Sequence, residues 1–195
     1  MQTPFTTALK HPSSPASAWI QRWSHLVPPQ GTVLDIACGS GRHMQWFAQR
    51  GHAVIGVDRA PEALQTAASF GATLLADIEN GPWPLMQGDQ VRRFDAVIVC
   101  HYLWRPLLAL MVQSVAPGGV LIYETFSQGH ETVGKPSRPD FLLRPGELLT
   151  ICRDLHIVAF EEGFLEQPDR FMQRIVAIQP DSAPQAGTAP ARYAL

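Results

Sequence analysis

Residues 33–42, which read Val-Leu-Asp-Ile-Ala-Cys-Gly-Ser-Gly-Arg, decide the fold of this chain. A short apolar run contains Asp35 near its end and is followed by two glycines, Gly39 and Gly41, before a stretch with helical periodicity. This pattern predicts a strand that turns sharply into a helix. Glycine has no Cβ and adopts positive φ without steric cost, so a ligand can approach the backbone closely at this turn.

Beyond this turn, apolar runs alternate with helical stretches along the chain. The run 94–100 is almost wholly apolar, which is typical of a central strand buried on both faces of a sheet. Five βα-type units predict an α/β fold with a doubly wound parallel sheet and a ligand crevice at the carboxyl ends of its strands. We predict strands at 32–37, 53–57, 72–75, 94–100, 120–125, 156–160 and 171–178, and helices at 19–26, 43–50, 61–70, 105–115 and 145–153.

The length and composition indicate one folded domain. The chain has 195 residues, of which 46% are apolar and 16% are charged, enough to bury a sizeable core. We expect a leader with an amphipathic helix at 1–30, the main domain at 31–179 and a disordered tail at 180–195.

Charge and cysteine usage exclude several functional classes. Fifteen basic and 17 acidic side chains give a net charge of -2, so the chain as a whole does not attract nucleic acid or anionic membrane. Its three cysteines form no C-x-x-C pair, which argues against a disulfide framework or a zinc cage. No apolar run reaches the length of a membrane span, and the first 30 residues do not read as a secretory signal. We therefore expect a cytoplasmic protein that binds no metal and no membrane, with nucleic acid disfavoured as a partner.

The spacing after the glycine turn favours a nucleoside ligand. Asp58 ends the second predicted strand, where a carboxylate can accept hydrogen bonds from both hydroxyls of a ribose. A dinucleotide site would require a small residue where this chain has Met44, so a nicotinamide-dependent oxidoreductase is disfavoured. A P-loop motif is absent from the sequence as well.

These motifs resemble those of the class I S-adenosylmethionine (SAM)-dependent methyltransferases, over residues 31–178. Residues 33–41 are similar to the family's first motif, Asp58 to its ribose-binding acid, 76–78 to its adenine segment, 94–98 to its fourth strand and 116–121 to the turn into its fifth strand. The resemblance implies a Rossmann-like sheet of seven mostly parallel strands, the last one antiparallel, and SAM as cofactor. The short length resembles the small-molecule branch, which includes tellurite-resistance and thiopurine-type enzymes. Ala37 departs from the pattern, because the family most often has glycine there, and we expect a slightly tighter site that still binds.

The resemblance also implies a set of cofactor contacts. Asp35 would bind the amino group of SAM, Asp58 the ribose and Asp77 the adenine amine. The residues expected to contact the cofactor are Asp35, Ala37, Gly39, Gly41, Asp58, Arg59, Asp77, Ile78 and Cys100. The alternative interpretations are a turn-stabilising carboxylate for Asp35, a plain loop acid for Asp77 and a small buried apolar residue for Cys100.

His101 and Tyr102 follow the fourth strand and are the candidate catalytic residues. Methyl transfer is an in-line displacement, so the enzyme mainly aligns the reactants, and a base is required only if the acceptor arrives protonated. An unperturbed histidine has a pKa of about 6.5, so His101 could accept that proton. Alternatively, both side chains are neutral parts of the pocket wall.

We expect the methyl acceptor to be a small molecule. The loop 127–144 carries Lys135, Arg138 and Arg144, which could bind an anionic acceptor or could simply form a solvated surface. An RNA or protein acceptor, or a non-catalytic SAM-binding domain, is the alternative. The sequence does not decide the acceptor or the oligomeric state.

Overall fold

The computed structural model describes residues 14–181 and 192–195, in which helices and strands alternate in the predicted order. The strands are β1 Thr32–Ile36, β2 Ala53–Asp58, β3 Ala72–Leu75, β4 Met86–Gln87, β5 Gln90–Val91, β6 Phe94–Cys100, β7 Val115–Phe126, β8 His156–Leu165 and β9 Arg170–Ile178. The α-helices are α1 Ala18–Trp23, α2 Arg42–Ala48, α3 Pro61–Ala67, α4 Leu108–Gln113 and α5 Glu147–Ile151.

Seven of the strands form one sheet in the order β3-β2-β1-β6-β7-β9-β8. The pairs that join β3, β2, β1, β6 and β7 are all parallel, whereas β9 runs antiparallel to both of its neighbours. The predicted seven-stranded sheet with an antiparallel last strand is thereby confirmed. The direction in which the chain adds strands reverses between β1 and β6, which places a crevice at the carboxyl ends of these two strands.

Both faces of the sheet are covered by apolar side chains. On one face, Trp19 and Trp23 of α1 pack in a cluster with Phe47 of α2. On the other face, Met111 of α4 and Leu148 of α5 pack against the sheet. Burial of these side chains is the main favourable contribution to folding, and it fixes the strand ends that carry the polar residues.

Met44 is accommodated by a glycine on the neighbouring strand. A Cβ placed on Gly56 of β2 would come within 2.6 Å of Cys38 Sγ and still closer to Met44 Sδ. The close approach of helix and strand, which dinucleotide folds obtain from a small helix residue, is obtained here from a small strand residue.

Two local features differ from the predictions. β7 begins at Val115, before the predicted strand start at residue 120, and its register against β6 shifts between Phe94 and Ala96. β4 and β5 form a separate hairpin inside a connection that has too few residues per strand to show periodicity.

Residues 1–13 of the predicted leader and residues 182–191 of the predicted tail lie outside the described residues, whereas the described part of the leader contains α1. The last residues return to the domain, where Tyr193 lies 5.1 Å from His156 between ring centroids. Within the described part of the chain, no helix is long and apolar enough to cross a membrane.

Candidate functional site

The turn after β1 contains three residues in the left-handed region of backbone conformation. Ala37 has a φ of 54°, Gly39 a φ of 54° and Gly41 a φ of 81°. A Cβ on Gly39 would meet no atom within 4 Å, so this glycine faces open space. A Cβ on Gly41 would lie 2.9 Å from Ala67 Cα, so Gly41 permits α2 to pack against α3. The two glycines of the motif therefore have different physical roles.

Asp58 closes the carboxyl end of β2 and holds the glycine turn in place. Its Oδ2 accepts a hydrogen bond from the Gly39 backbone N–H at 2.8 Å, and its Oδ1 accepts one from the Ala60 N–H at 2.9 Å. Each carboxylate oxygen has further acceptor capacity. Asp58 can therefore fix the turn and still accept hydrogen bonds from a ligand.

A cavity of about 210 Å³ opens at the carboxyl ends of β1, β2 and β3. Its lining comprises Ala37, Asp58, Arg59, Ala76, Asp77, Ile78, Glu79 and Tyr102. Five of the residues that the resemblance implied as cofactor contacts are thus brought together. Ala76 belongs to the segment 76–78 that resembles the family's adenine segment, whereas Glu79, which follows that segment directly, was not predicted. Glu79 faces Arg59, with 3.6 Å between its Oε2 and the Arg59 Nη1.

Asp77 is exposed and caps the turn that follows β3. Its Oδ1 accepts from the Glu79 N–H at 3.1 Å, and its Oδ2 accepts from the Asn80 Nδ2 at 2.9 Å. The hydrogen bond from the Asn80 side chain is the main cause that lowers the pKa of Asp77. Asp77 thus has a structural role as a loop acid in addition to lining the cavity.

Tyr102 lines the same cavity. Burial raises the pKa of its phenol, and the charge of Glu79 raises it further. The structure therefore places Tyr102 among the candidate cofactor contacts, while His101, its neighbour in the chain, lies on the side of Phe126.

Asp35 is a buried carboxyl beside the glycine turn. Burial raises its pKa to about 8, against the opposing charge of Arg42, and its Oδ2 has no hydrogen-bond partner among the described residues. The nearest imidazole, His43, lies 3.9 Å away from this oxygen at its Nδ1. Burial lowers the pKa of His43 to about 3, and its Nε2 accepts from the Ser17 N–H at 3.3 Å. Because 3.9 Å is too long for a hydrogen bond, the Asp35 oxygen remains available to another donor.

Cys100, His101 and Glu124 lie together at the carboxyl ends of β6 and β7. Their potential ligand atoms lie within 4.8 Å of one another. However, Arg42 Nη2 donates to Cys100 Sγ at 3.1 Å, and Arg174 Nε lies 3.3 Å from Glu124 Oε2. These two guanidinium groups would repel a metal cation. Burial also raises the pKa of Cys100, which keeps its sulfur a thiol that donates to Glu124 Oε1 at 3.3 Å.

His101 occupies a strained position next to this cluster. Its φ is 55°, and its backbone N–H donates to the Glu124 carbonyl at 3.0 Å. Its ring stacks on Phe126, with 4.8 Å between centroids, and Phe126 stacks in turn on His130 at 4.2 Å. Partial burial lowers the pKa of His101, against the raising effect of the Glu124 charge. Left-handed non-glycine residues are costly and cluster at functional sites, which fits a functional role for His101.

The loop 127–144 does not bring its cations to His101. Lys135, Arg138 and Arg144 are exposed, and Arg138 Nη2 donates to Asp140 Oδ2 at 2.7 Å. The cations whose charges act on His101 are instead Arg42, Arg170 and Arg174, which the sequence analysis did not select. Only the pairing of β9 with β7 brings the last two to this edge of the sheet.

Parts of this chain are similar to known methyltransferases. Residues 33–119 match the family model described as a methyltransferase domain. Over 101 residues the chain is 37% identical to a malonyl-[acyl-carrier protein] O-methyltransferase of Salmonella typhimurium, covering 50% of this chain and 40% of that protein. It is 43% identical over 42 residues to a 2-heptyl-1-hydroxyquinolin-4(1H)-one methyltransferase of Mycobacteroides abscessus, covering 22% and 18% of the two chains.

The fold is similar to that of a TehB-like SAM-dependent methyltransferase from Corynebacterium glutamicum, with a TM-score of 0.61 and 18% identity over 86% of this chain and 90% of that one. The fold is Rossmann-like, and residues 33–119 within it match a methyltransferase domain. The matched residues 33–119 make up just under half of the chain, and SAM is the cofactor that this match and the fold imply. The chain spans 40% of the length of the Salmonella typhimurium relative.

The residues present fit this cofactor. The amino-acid end of SAM carries an ammonium and a carboxylate, and Asp35 offers an unpartnered buried oxygen beside the guanidinium of Arg42. Gly39 faces open space, and its N–H donates to Asp58, which lines the cavity. SAM requires three complementary groups: an acid for its amine, a cation for its carboxylate and an apolar cavity for its adenine ring. The structure offers an apolar cavity with Ile78 for the adenine.

Proposed function

We propose that this chain transfers the methyl group of SAM to a small-molecule acceptor. The observation that carries the proposal is that consecutive residues face two adjoining sites. Tyr102 lines the cavity that ends at Asp58, while His101 lies against Phe126 beside the Glu124 cluster. A cofactor held in the first site would therefore lie next to an acceptor held in the second.

Each residue has a role that follows from its position. Bound SAM would supply a methyl group on a positively charged sulfur, and a nucleophile in line with the carbon–sulfur bond would take the methyl while the sulfur leaves as a neutral thioether. Asp58 binds the ribose hydroxyls while it fixes the glycine turn through the Gly39 N–H. Asp35 accepts from the amino group, and Ile78 packs against the base.

His101 is proposed as the general base for an acceptor that arrives protonated. Partial burial lowers its pKa, so the imidazole is neutral at pH 7 and can accept a proton. Tyr102 shapes the wall between the two sites. Cys100 remains a protonated thiol, and we assign it a positioning role through Arg42 and Glu124.

Two relatives support a low-molecular-weight acceptor group, since their names specify a quinolone and a malonyl group on a carrier protein. The proposed unit of function is the domain 31–179. A cytoplasmic location remains a prediction from the three unpaired cysteines.

The test is transfer of tritiated methyl from labelled SAM to a panel of small acceptors, with tRNA and bulk protein as separate arms. The proposal predicts labelled small-molecule product and a rate for His101→Ala that is about 100-fold lower, with the pH dependence below neutrality abolished. Label that enters only the macromolecular arms would contradict the small-molecule proposal. An unchanged rate and pH profile for His101→Ala would remove the general base.

A further inference from the structure

Arg170 is the unpaired cation at the edge of this site. It is the first residue of β9, and its Nε is buried without a hydrogen-bond partner among the residues that the structure describes. Side chains alternate along a strand, so Arg170 shares a face with Met172 and Arg174. Because Met172 pairs with Phe126 and Arg174 with Glu124, Arg170 lies just beyond the Phe126 end of β7.

The other two cations of the cluster already have partners. Arg174 contacts Glu124 at 3.3 Å and Glu161 at 3.4 Å. Arg42 donates to the Cys100 thiol and also acts on Asp35. Arg170 forms no ion pair within the described residues, although its charge acts on His101. Arg170 is therefore the one of these three cations whose side chain has no partner among the described residues.

The surroundings of Arg170 suit the rest of a small acid. Phe126 lies between His101 and His130 in a stack of three rings, which presents its ring edges to its surroundings. Met172 is buried on the neighbouring strand. A guanidinium binds a planar carboxylate through two parallel hydrogen bonds, and one unmatched cation corresponds to one negative charge.

We propose that Arg170 binds the carboxylate of a small-molecule acceptor whose apolar part packs against the edges of this ring stack. This inference rests on the proposed methyl transfer. The proposed anion site lies at the start of β9 and not in the exposed loop 127–144, where the sequence alone had suggested one. The carboxylate anchors the acceptor, and the nucleophilic atom of the acceptor lies on the His101 side.

The test uses two matched pairs of probes, benzoate with benzamide and phenylacetate with phenylacetamide. Each probe is titrated by NMR into the protein loaded with S-adenosylhomocysteine, the demethylated product of SAM. The inference predicts that at least one acid binds tenfold or more tightly than its amide. Arg170→Met should abolish this preference, and Arg170→Lys should restore part of it.

Arg138→Met is the matched control, because Arg138 is exposed and pairs with Asp140 in the loop. It should keep the preference for the acid. Equal binding of acid and amide, or a preference that survives in Arg170→Met, would overturn the carboxylate site. If the unaltered protein fails to bind S-adenosylhomocysteine, the proposed function itself fails. Binding of S-adenosylhomocysteine without a carboxylate preference refutes this inference alone.

Discussion

The two glycines of the turn should respond differently to the same substitution. Gly39→Ala and Gly41→Ala both place an L side chain at positive φ, which costs about 1–2 kcal/mol. At Gly41 the new Cβ also lies 2.9 Å from Ala67 Cα and 3.0 Å from Ala67 Cβ. Overpacking of this kind typically costs a further ~1–3 kcal/mol. Gly41→Ala should therefore lower the free energy of unfolding by about 2–5 kcal/mol, and Gly39→Ala by only about 1–2 kcal/mol.

Cofactor affinity should show the opposite order. The Cβ of Gly39→Ala enters the open space proposed for SAM, so the variant should bind S-adenosylhomocysteine at least tenfold more weakly. Gly41→Ala should retain more affinity at temperatures where it is folded. Urea unfolding of the cofactor-free proteins measures the first effect, and calorimetric titration measures the second. Equal losses of stability, or unchanged binding by Gly39→Ala, would refute the division of roles.

Three other substitutions test neighbouring parts of the account. Ala37→Gly removes a methyl side chain at a φ of 54°, so urea unfolding should show that the free energy of unfolding rises by up to about 1 kcal/mol. A decrease would contradict backbone strain at Ala37. Burial raises the pKa of Asp35 from 3.8 to about 8. Between these two pH values the folded protein holds a proton that the unfolded chain releases, so the free energy of unfolding falls as the pH rises through this interval. Cofactor-free Asp35→Asn should therefore lose less unfolding free energy between pH 5 and pH 8 than the unaltered protein; equal losses would contradict the raised pKa. Arg105 donates to both Glu147 oxygens at 2.8 and 2.9 Å and to the Leu142 carbonyl at 2.8 Å. Arg105→Ala should therefore lower the free energy of unfolding by about 2–3 kcal/mol and speed proteolysis within 127–144. Unchanged cleavage would show that other contacts hold this loop.

Local signals in the sequence were sufficient to select residues that the structure brings together in the candidate cofactor half of the site. A strand, a glycine turn and an acid at the end of the next strand are contiguous patterns, and the structure places Asp58 and Ile78 in one cavity with Ala37. The resemblance to a known family depended on the same short segments.

The acceptor half could not be predicted from the sequence, because it depends on pairing between distant segments. Arg174 and Glu124 are 50 residues apart and meet only through the antiparallel pairing of β9 with β7. The loop cations were selected as an anion site because they are close together in sequence. Proximity in sequence does not determine where side chains point, and Arg138 pairs with Asp140 at the surface. Gly56 likewise shows why Met44 fits, and no local pattern connects those two residues.

The most direct test of the account is calorimetric titration of SAM and S-adenosylhomocysteine into the protein, with Asp58→Ala beside it. Asp89→Ala is the matched control, because Asp89 is an exposed acid between β4 and β5. The account predicts micromolar binding that Asp58→Ala abolishes and Asp89→Ala preserves. Absence of binding to the folded protein, or full affinity in Asp58→Ala, would contradict the site described at the ends of β1 and β2.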